Sequence, residues 1–150
     1  MKRRRRDKTP VRPTPGLGGR IPLHHAAGDT GGDRADLVAE LIASGQDPNT
    51  RDYQGNTPLH FAGQYTGVDV VRILIDAGAE VDAQNVRGET PLYMAVNSPW
   101  TSADVLRLLR ERGADPGKKT ANGSSPLDYV RAIDSNMKRD VFADLLDGAD

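Results

Sequence analysis

A short motif that recurs along the chain is the feature that most constrains its fold. The best copy, Asn-Thr-Pro-Leu-His-Phe-Ala, occupies residues 56–62 and follows a glycine. Poorer copies of the pattern Gly-x-x-Pro-Leu lie before and after it. The glycines that begin the four copies are 36, 33 and 35 residues apart. These glycines are Gly19, Gly55, Gly88 and Gly123. A period of this length predicts a stack of similar units, each of which buries a thin face against its neighbours.

The composition agrees with such a stack. The hydrophobic content of 37% and the aromatic content of 5% are low for a single round core of 150 residues. The chain has no cysteine, which excludes disulfides and thiolate metal sites. No apolar run approaches the roughly 20 residues of a membrane helix, and no apolar segment of a secretory signal follows the basic start. We therefore expect a cytoplasmic protein that does not bind membranes.

The formal net charge of −1 conceals an uneven distribution of charge. Residues 1–20 carry eight basic side chains and one acidic side chain, whereas the other 130 residues carry 12 basic and 20 acidic side chains. Residues 1–18 are also rich in proline and poor in apolar side chains. We therefore predict that they form a disordered basic tail.

Four arginines of this tail form one run, Arg3, Arg4, Arg5 and Arg6. Such a run could contact nucleic-acid phosphates or an acidic partner, or serve as a nuclear targeting signal. No aromatic residue is interleaved with the arginines, which argues against stacking on bases. A solubilising tail is the favoured interpretation, and nucleic-acid association stays an alternative.

Each repeat unit is predicted to contain two helices. A hydroxyl residue precedes the motif proline at Thr57, Thr90 and Ser125, where it can cap the first helix, whereas Ile21 cannot. The second helices carry apolar stripes with the spacing of one helix face. These stripes are Leu37-Val38-Leu41-Ile42, Val70-Val71-Ile73-Leu74, Val105-Leu106-Leu108-Leu109 and Val141-Phe142-Leu145-Leu146. A left-handed C-cap is expected at the glycine that follows each stripe, namely Gly45, Gly78, Gly113 and Gly148.

The loops between units are predicted to be more regular than the turns within them. From the glycine that ends one unit to the proline that starts the next, the interval is 13 residues in all three cases. The length variation therefore falls in the turns between paired helices, 28–34, 97–103 and 132–137. Specific binding chemistry is expected on the constant loops, the adjoining first helices and the expanded turn that contains Trp100.

The repeats resemble those of the ankyrin family. Residues 55–62 and 78–83 match the family pattern closely, and residues 113–115 and 148–150 match its segment after the second helix. The resemblance covers four repeats, at about 19–54, 55–87, 88–122 and 123–150. It implies an all-α solenoid of helix-turn-helix repeats joined by finger-like loops, with a concave binding face. The departures are Arg20-Ile21 in the first copy, and Tyr93 and Asp128 in place of the motif histidine, and they weaken mainly the outer repeats.

The histidines are predicted to be structural. His24 and His60 occupy the motif position, at which the family's histidine hydrogen-bonds back to the turn. Asp52 and Asp82 lie near them in the repeat plan, but the histidines belong to separate repeats and do not converge on one metal site. No motif pairs a nucleophile with a base or places a phosphate loop before a helix. The sequence therefore predicts no catalytic residue, metal or cofactor.

The predicted function is the binding of another protein by a monomeric, non-catalytic array. The resemblance implies contacts at the finger tips and first helices, and the candidate residues are Tyr53, Asn56, Gln64, Tyr65, Arg87, Glu89 and Trp100. Trp100 is the only tryptophan, and tryptophan and tyrosine are enriched among residues that anchor interfaces. Two arrangements stay open for Trp100, since it could equally fold back over its own repeat.

A narrower alternative is an immunity protein or antitoxin-type inhibitor of a cognate basic enzyme. The excess of acidic residues after residue 20 motivates it, because opposite charges accelerate association.

Overall fold

The computed structural model describes residues 17–29, 34–65 and 67–148, and all regular secondary structure in these residues is helical. The helices form four successive pairs joined by loops, and the last pair has its second member divided in two. The helices are α1 (Pro22–Gly28), α2 (Ala35–Ala43), α3 (Pro58–Tyr65), α4 (Val68–Asp76), α5 (Pro91–Asn97), α6 (Ala103–Glu111), α7 (Pro126–Ala132), α8 (Asn136–Val141) and α9 (Ala143–Leu146). The predicted all-α, helix-turn-helix architecture is thereby confirmed.

Most of the predicted basic tail lies outside the described residues, and its last two residues differ from the prediction. Leu17 and Gly18 belong to a short 3-10 turn, Leu17–Gly19. The Gly18 carbonyl accepts a hydrogen bond of 2.8 Å from the backbone N–H of Tyr53. These two residues therefore belong to the first finger rather than to a disordered segment.

Local capping chemistry explains where α5 and α7 begin. The Thr90 hydroxyl accepts from the backbone N–H of Tyr93 at 3.1 Å at the start of α5. Ser125 and Asp128 form a reciprocal capping box at the start of α7, with bonds of 3.1 Å and 2.9 Å. Ile21 makes no side-chain cap, as the sequence predicts.

The core lies between two layers of helices. The first helices α1, α3, α5 and α7 pack in series, and α2, α4, α6 and α8 pack in series behind them. The motif leucines Leu23, Leu59 and Leu92 are fully buried, whereas their counterpart Leu127 in the last repeat is only partly buried. The last repeat therefore buries its motif leucine less completely than the other three repeats do.

The predicted apolar stripes lie in or against the core in all four units, but the last stripe is divided between two helices. In the last pair Phe142 interrupts the helix, with φ −111° and ψ 15°, and separates α8 from α9. The side chain of Phe142 is nevertheless fully buried. The chain therefore departs from regular helix geometry in the last repeat while it still buries this ring.

Three of the four predicted left-handed C-caps are confirmed, at Gly45, Gly78 and Gly113, with φ values of 95° to 99°. The prediction for Gly148 is wrong, because its φ is not positive. The residue that ends α9, Asp147, keeps right-handed helical geometry, and its N–H bonds to Ala143. The last helix therefore ends without the glycine cap of the other repeats.

The constant loops 45–58, 78–91 and 113–126 are the second, third and fourth fingers, and the chain around Gly18 forms the first. Neighbouring fingers bond to one another through the backbone. One N–H of each finger donates to a carbonyl of the preceding finger, at 2.8 to 3.0 Å. The pairs are Tyr53 with Gly18, Val86 with Gln54, and Ala121 with Arg87. This close approach requires glycine at Gly88, where φ is 74° and a Cβ would lie 2.8 Å from the backbone nitrogen of Ala121.

Candidate functional site

The motif histidines tie each repeat to the next finger. Nδ1 of His60 accepts from the backbone N–H of Thr57 at 3.0 Å, so the ring proton is on Nε2, which donates to the Glu89 carbonyl at 2.9 Å. His24 makes the equivalent contacts with Ile21 and Asn56. Both rings are buried, and this burial lowers both pKa values, that of His60 to about 4. The predicted structural role is confirmed.

Polar side chains brace the fingers from inside. Oδ1 of Asp52 accepts from the backbone N–H groups of Gln54 and Asn56, both at 2.9 Å. Asn85 performs the same task in the third finger, where Oδ1 accepts from Arg87 and Glu89. Within the described residues, no group of three or more histidine, aspartate or glutamate side chains could hold a metal ion.

The prediction that Asn56 contacts a partner is wrong. Its side chain is buried, and its Oδ1 accepts from Nδ2 of Asn85 at 3.0 Å. This bond links the second finger to the third. Asn56 therefore stabilises the stack and presents no surface to a partner.

Five of the other predicted residues come together around one groove, although they belong to different elements. They are Gln64 and Tyr65 at the end of α3, Arg87 and Glu89 on the third finger, and Trp100 on the turn between α5 and α6. The same groove is also lined by Tyr93, Met94, Asn97, Ser98 and Pro99. We call it the Trp100 groove. It lies on the surface formed by the first helices and the fingers of the second and third repeats.

Aromatic side chains are concentrated at the Trp100 groove. Trp100 is 74% exposed and Tyr65 is 41% exposed, whereas Tyr93 is half-buried. These three account for most of the tyrosine and tryptophan in a chain that has only four tyrosines and one tryptophan. Trp100 does not fold back over its own repeat, so that interpretation is wrong.

The turn that carries Trp100 is fixed to α3. The Ser98 hydroxyl donates to the Gln64 carbonyl at 2.9 Å, and the Thr101 hydroxyl donates to the Gly63 carbonyl at 3.1 Å. These are carbonyls of the last turn of α3, which lack partners within their own helix. The backbone N–H of Trp100 donates in turn to the Ser98 hydroxyl at 3.1 Å. The exposed indole therefore stands on an anchored backbone.

Charges of both signs border the groove on the third finger. Nε of Arg87 lies 3.2 Å from Oε2 of Glu89, which also accepts from Nδ2 of Asn85 at 2.8 Å. The Arg87 side chain is 68% exposed, whereas that of Glu89 is 19% exposed. Glu89 thus holds Arg87 at the edge of the groove, where the guanidinium stays accessible.

Tyr53 lies outside the Trp100 groove. It is 75% exposed on the second finger, and its ring packs on Gly19, where a Cβ would come within 2.4 Å of Cδ1. The structure therefore does not bring Tyr53 together with the other candidates.

Of the five groove residues that the sequence did not predict, Tyr93 is the aromatic one. It occupies the motif position of His60, and it was interpreted only as a departure that weakens its repeat. The side chain points instead into the groove. The available signal was an aromatic ring at the motif position that histidine occupies in the first two repeats.

Two further observations concern the rest of the chain. The predicted basic residues Arg3, Arg4, Arg5 and Arg6 lie outside the described residues. Among the helices that the structure describes, none has the length and apolar character needed to span a bilayer.

Comparison with known proteins agrees with this architecture. A family model described as ankyrin repeats, in three copies, matches residues 23–120. No curated protein matches the sequence. Residues 23–120 contain the first three motif leucines, both motif histidines and the whole Trp100 groove. The chain therefore belongs to the ankyrin repeat family, whose repeats generally serve as protein–protein interaction modules.

Proposed function

We propose that this chain is a non-catalytic module that binds a partner protein in the Trp100 groove and on the adjoining third finger. The observation that carries the proposal is the exposure of Trp100, 74%, on a turn that two side-chain hydrogen bonds fix to α3. Large aromatic side chains supply much of the binding energy at interfaces. A turn that is already ordered loses little conformational entropy when a partner binds.

The surroundings of Trp100 support the same proposal. Tyr65 and Tyr93 extend the aromatic surface, and Arg87 and Glu89 supply a polar edge. An aromatic centre with a polar, solvent-accessible rim is typical of protein–protein interfaces. The motif histidines His24 and His60, in contrast, are occupied by backbone contacts, which supports a role in stability rather than catalysis.

The proposal is tested by substitution of two equally exposed aromatic residues. Partners captured by the wild-type chain are compared with those captured by Trp100→Ala and by Tyr53→Ala. We expect Trp100→Ala to weaken binding by about 2 kcal/mol or more, or roughly thirtyfold, because it removes an interface anchor. Tyr53→Ala is the matched control, since Tyr53 is as exposed as Trp100 but lies outside the groove. Equal binding by wild type and Trp100→Ala would contradict the proposal.

A second candidate function is inhibition of a cognate basic enzyme, as an immunity protein or antitoxin does. The acidic excess after residue 20 favours it, and several second helices expose carboxylates to solvent, including Asp36, Asp69 and Asp104. Attraction between opposite charges would make association faster at low salt than at high salt. An association rate that does not change with salt would argue against this candidate.

The arginine run allows a third candidate, association with nucleic acid. Each phosphate contact adds roughly −0.7 to −0.9 to the slope of log affinity against log salt. Replacement of Arg3, Arg4, Arg5 and Arg6 by glutamine should therefore flatten that slope. If the variant binds nucleic acid as the wild type does, this candidate is wrong.

A further inference from the structure

Lys138 in α8 is buried, with 8% of its surface exposed. Its Nζ donates to the carbonyls of Val96 and Ser98, at 2.6 Å and 2.9 Å. It forms no salt bridge with any carboxylate in the part of the chain that the structure describes. Burial lowers the pKa of this ammonium group. Removal of this ammonium group from water costs free energy, and only backbone carbonyls compensate for it.

These carbonyls belong to the end of α5, which terminates at Asn97 with Ser98 as its C-cap. The last carbonyls of a helix lack intrahelical partners and carry partial negative charge, so they favour a cation. Lys138 therefore completes the C-terminus of a helix in the preceding repeat. The expanded turn that carries Trp100 begins at this point.

Ser98 connects this contact to the groove. Its carbonyl accepts from Lys138, its hydroxyl donates to the Gln64 carbonyl, and the same hydroxyl accepts from the N–H of Trp100. The turn is consequently held from two sides, by α3 of the second repeat and by α8 of the fourth.

The fourth repeat also contacts the third repeat at a place away from the turn. Both terminal nitrogens of Arg110 bond to the carboxylate of Asp144, at 2.9 Å and 2.7 Å, and Arg110 also donates to the Val141 carbonyl. Lys138 differs from this pair because its contacts fall on the turn next to Trp100. Its role is therefore not explained by docking alone.

We propose that Lys138 is a positioning residue for the Trp100 groove, so that the fourth repeat controls the orientation and mobility of the indole without lining the site. The consequence for partner binding rests on the function proposed above. The effect on the turn does not, and it can be measured without any partner.

The experiment uses the full chain, with Trp100 as its only tryptophan and hence a specific fluorescence reporter. Lys138→Met keeps most of the buried stem and removes the donors, whereas Asp144→Ala removes a contact between the same two repeats away from the turn. We expect Lys138→Met to raise amide exchange in residues 97–102 by about tenfold or more and to lower the fluorescence anisotropy of Trp100. Asp144→Ala should leave both close to wild type.

Three results would overturn the inference. The first is unchanged exchange and anisotropy in Lys138→Met, and the second is an equal change in Asp144→Ala. The third result comes from the wild-type protein, and it tests the inference even if Lys138→Met prevents folding of the last repeat. In the wild-type chain, the amides of residues 97–102 should exchange at the same rate as those of α8. If the turn stays protected while α8 exchanges, the proposed role of Lys138 is wrong. If Lys138→Met loosens the turn while Trp100→Ala binds partners normally, the proposed function fails and this inference stands.

Discussion

His60 contributes to stability in its neutral form. Its Nδ1 accepts a backbone hydrogen bond, and this is possible only while that nitrogen is unprotonated. Burial lowers its pKa from 6.5 to about 4, so the folded chain resists protonation that the unfolded chain accepts. Between these two values the unfolded state binds more protons, and stability falls as the pH falls.

The free energy of unfolding should therefore decrease by up to about 3 kcal/mol between pH 6.5 and pH 4 because of this residue. Urea unfolding at a series of pH values measures it. The pKa of Asp144 is held below its usual range by Arg110, so loss of that contact is expected only at lower pH. His60→Gln should flatten the dependence, whereas His25→Gln, at an exposed position, should not. A wild-type profile as flat as that of His60→Gln would contradict the assignment.

At the level of elements, the sequence predicted most reliably what depends on neighbouring residues. Ser125 caps α7 and Thr90 caps α5, as predicted, through bonds that span three positions. The orientations of the Asn56 and Tyr93 side chains could not be predicted from neighbouring residues. Asn56 bonds to a residue 29 positions away, and the groove that Tyr93 lines includes side chains of the preceding repeat.

The same distinction applies to the candidate site. Its residue types were predicted, because exposed aromatic residues in loops are recognisable. The assembly of Tyr65, Arg87 and Trp100 into one groove depends on the stacking of two repeats and on the anchoring of the turn by Ser98. The break at Phe142 was also unpredicted, since the apolar stripe runs through it without a change of spacing.

The contact between fingers gives a prediction at this scale. Gly88→Ala should destabilise the chain by about 1–3 kcal/mol, because it combines a positive φ with a Cβ 2.8 Å from the Ala121 nitrogen. Chemical denaturation provides the measurement. Gly117→Ala is the control, because φ there is not positive and the new Cβ would meet only a carboxylate oxygen of Asp115, at 3.3 Å. If both substitutions change the free energy of unfolding equally, the close approach of Gly88 to the next finger does not determine stability.

For the whole molecule, the junctions between repeats are unequal. Histidine joins the first repeat to the second and the second to the third, through His24 and His60. The third repeat has Tyr93 at this position. Its polar contacts with the fourth repeat include the backbone bond between the fingers, the bonds of Lys138 and the pairing of Arg110 with Asp144. Asp144 is 60% exposed, and an ion pair in such a position contributes little.

The fourth repeat should therefore open first. In a linear array each repeat is stabilised mainly by its neighbours, so the loss of one junction frees the end without unfolding the rest. Hydrogen exchange followed by mass spectrometry should show faster exchange in α7, α8 and α9 than in α3 to α6. Uniform protection across these helices would mean that the array unfolds as one cooperative unit.

The backbone bonds between fingers involve only an N–H and a carbonyl at fixed places in a loop of fixed length. Recombination could therefore add or delete whole units without disturbing those bonds. The groove lacks this freedom, because Tyr65 comes from one unit and Trp100 from the next. A unit inserted between them would move the rings apart by about 10 Å, the spacing of packed helices. Selection for binding would thus keep the second and third units together as one block. The backbone bonds between fingers would still permit the insertion or deletion of other units.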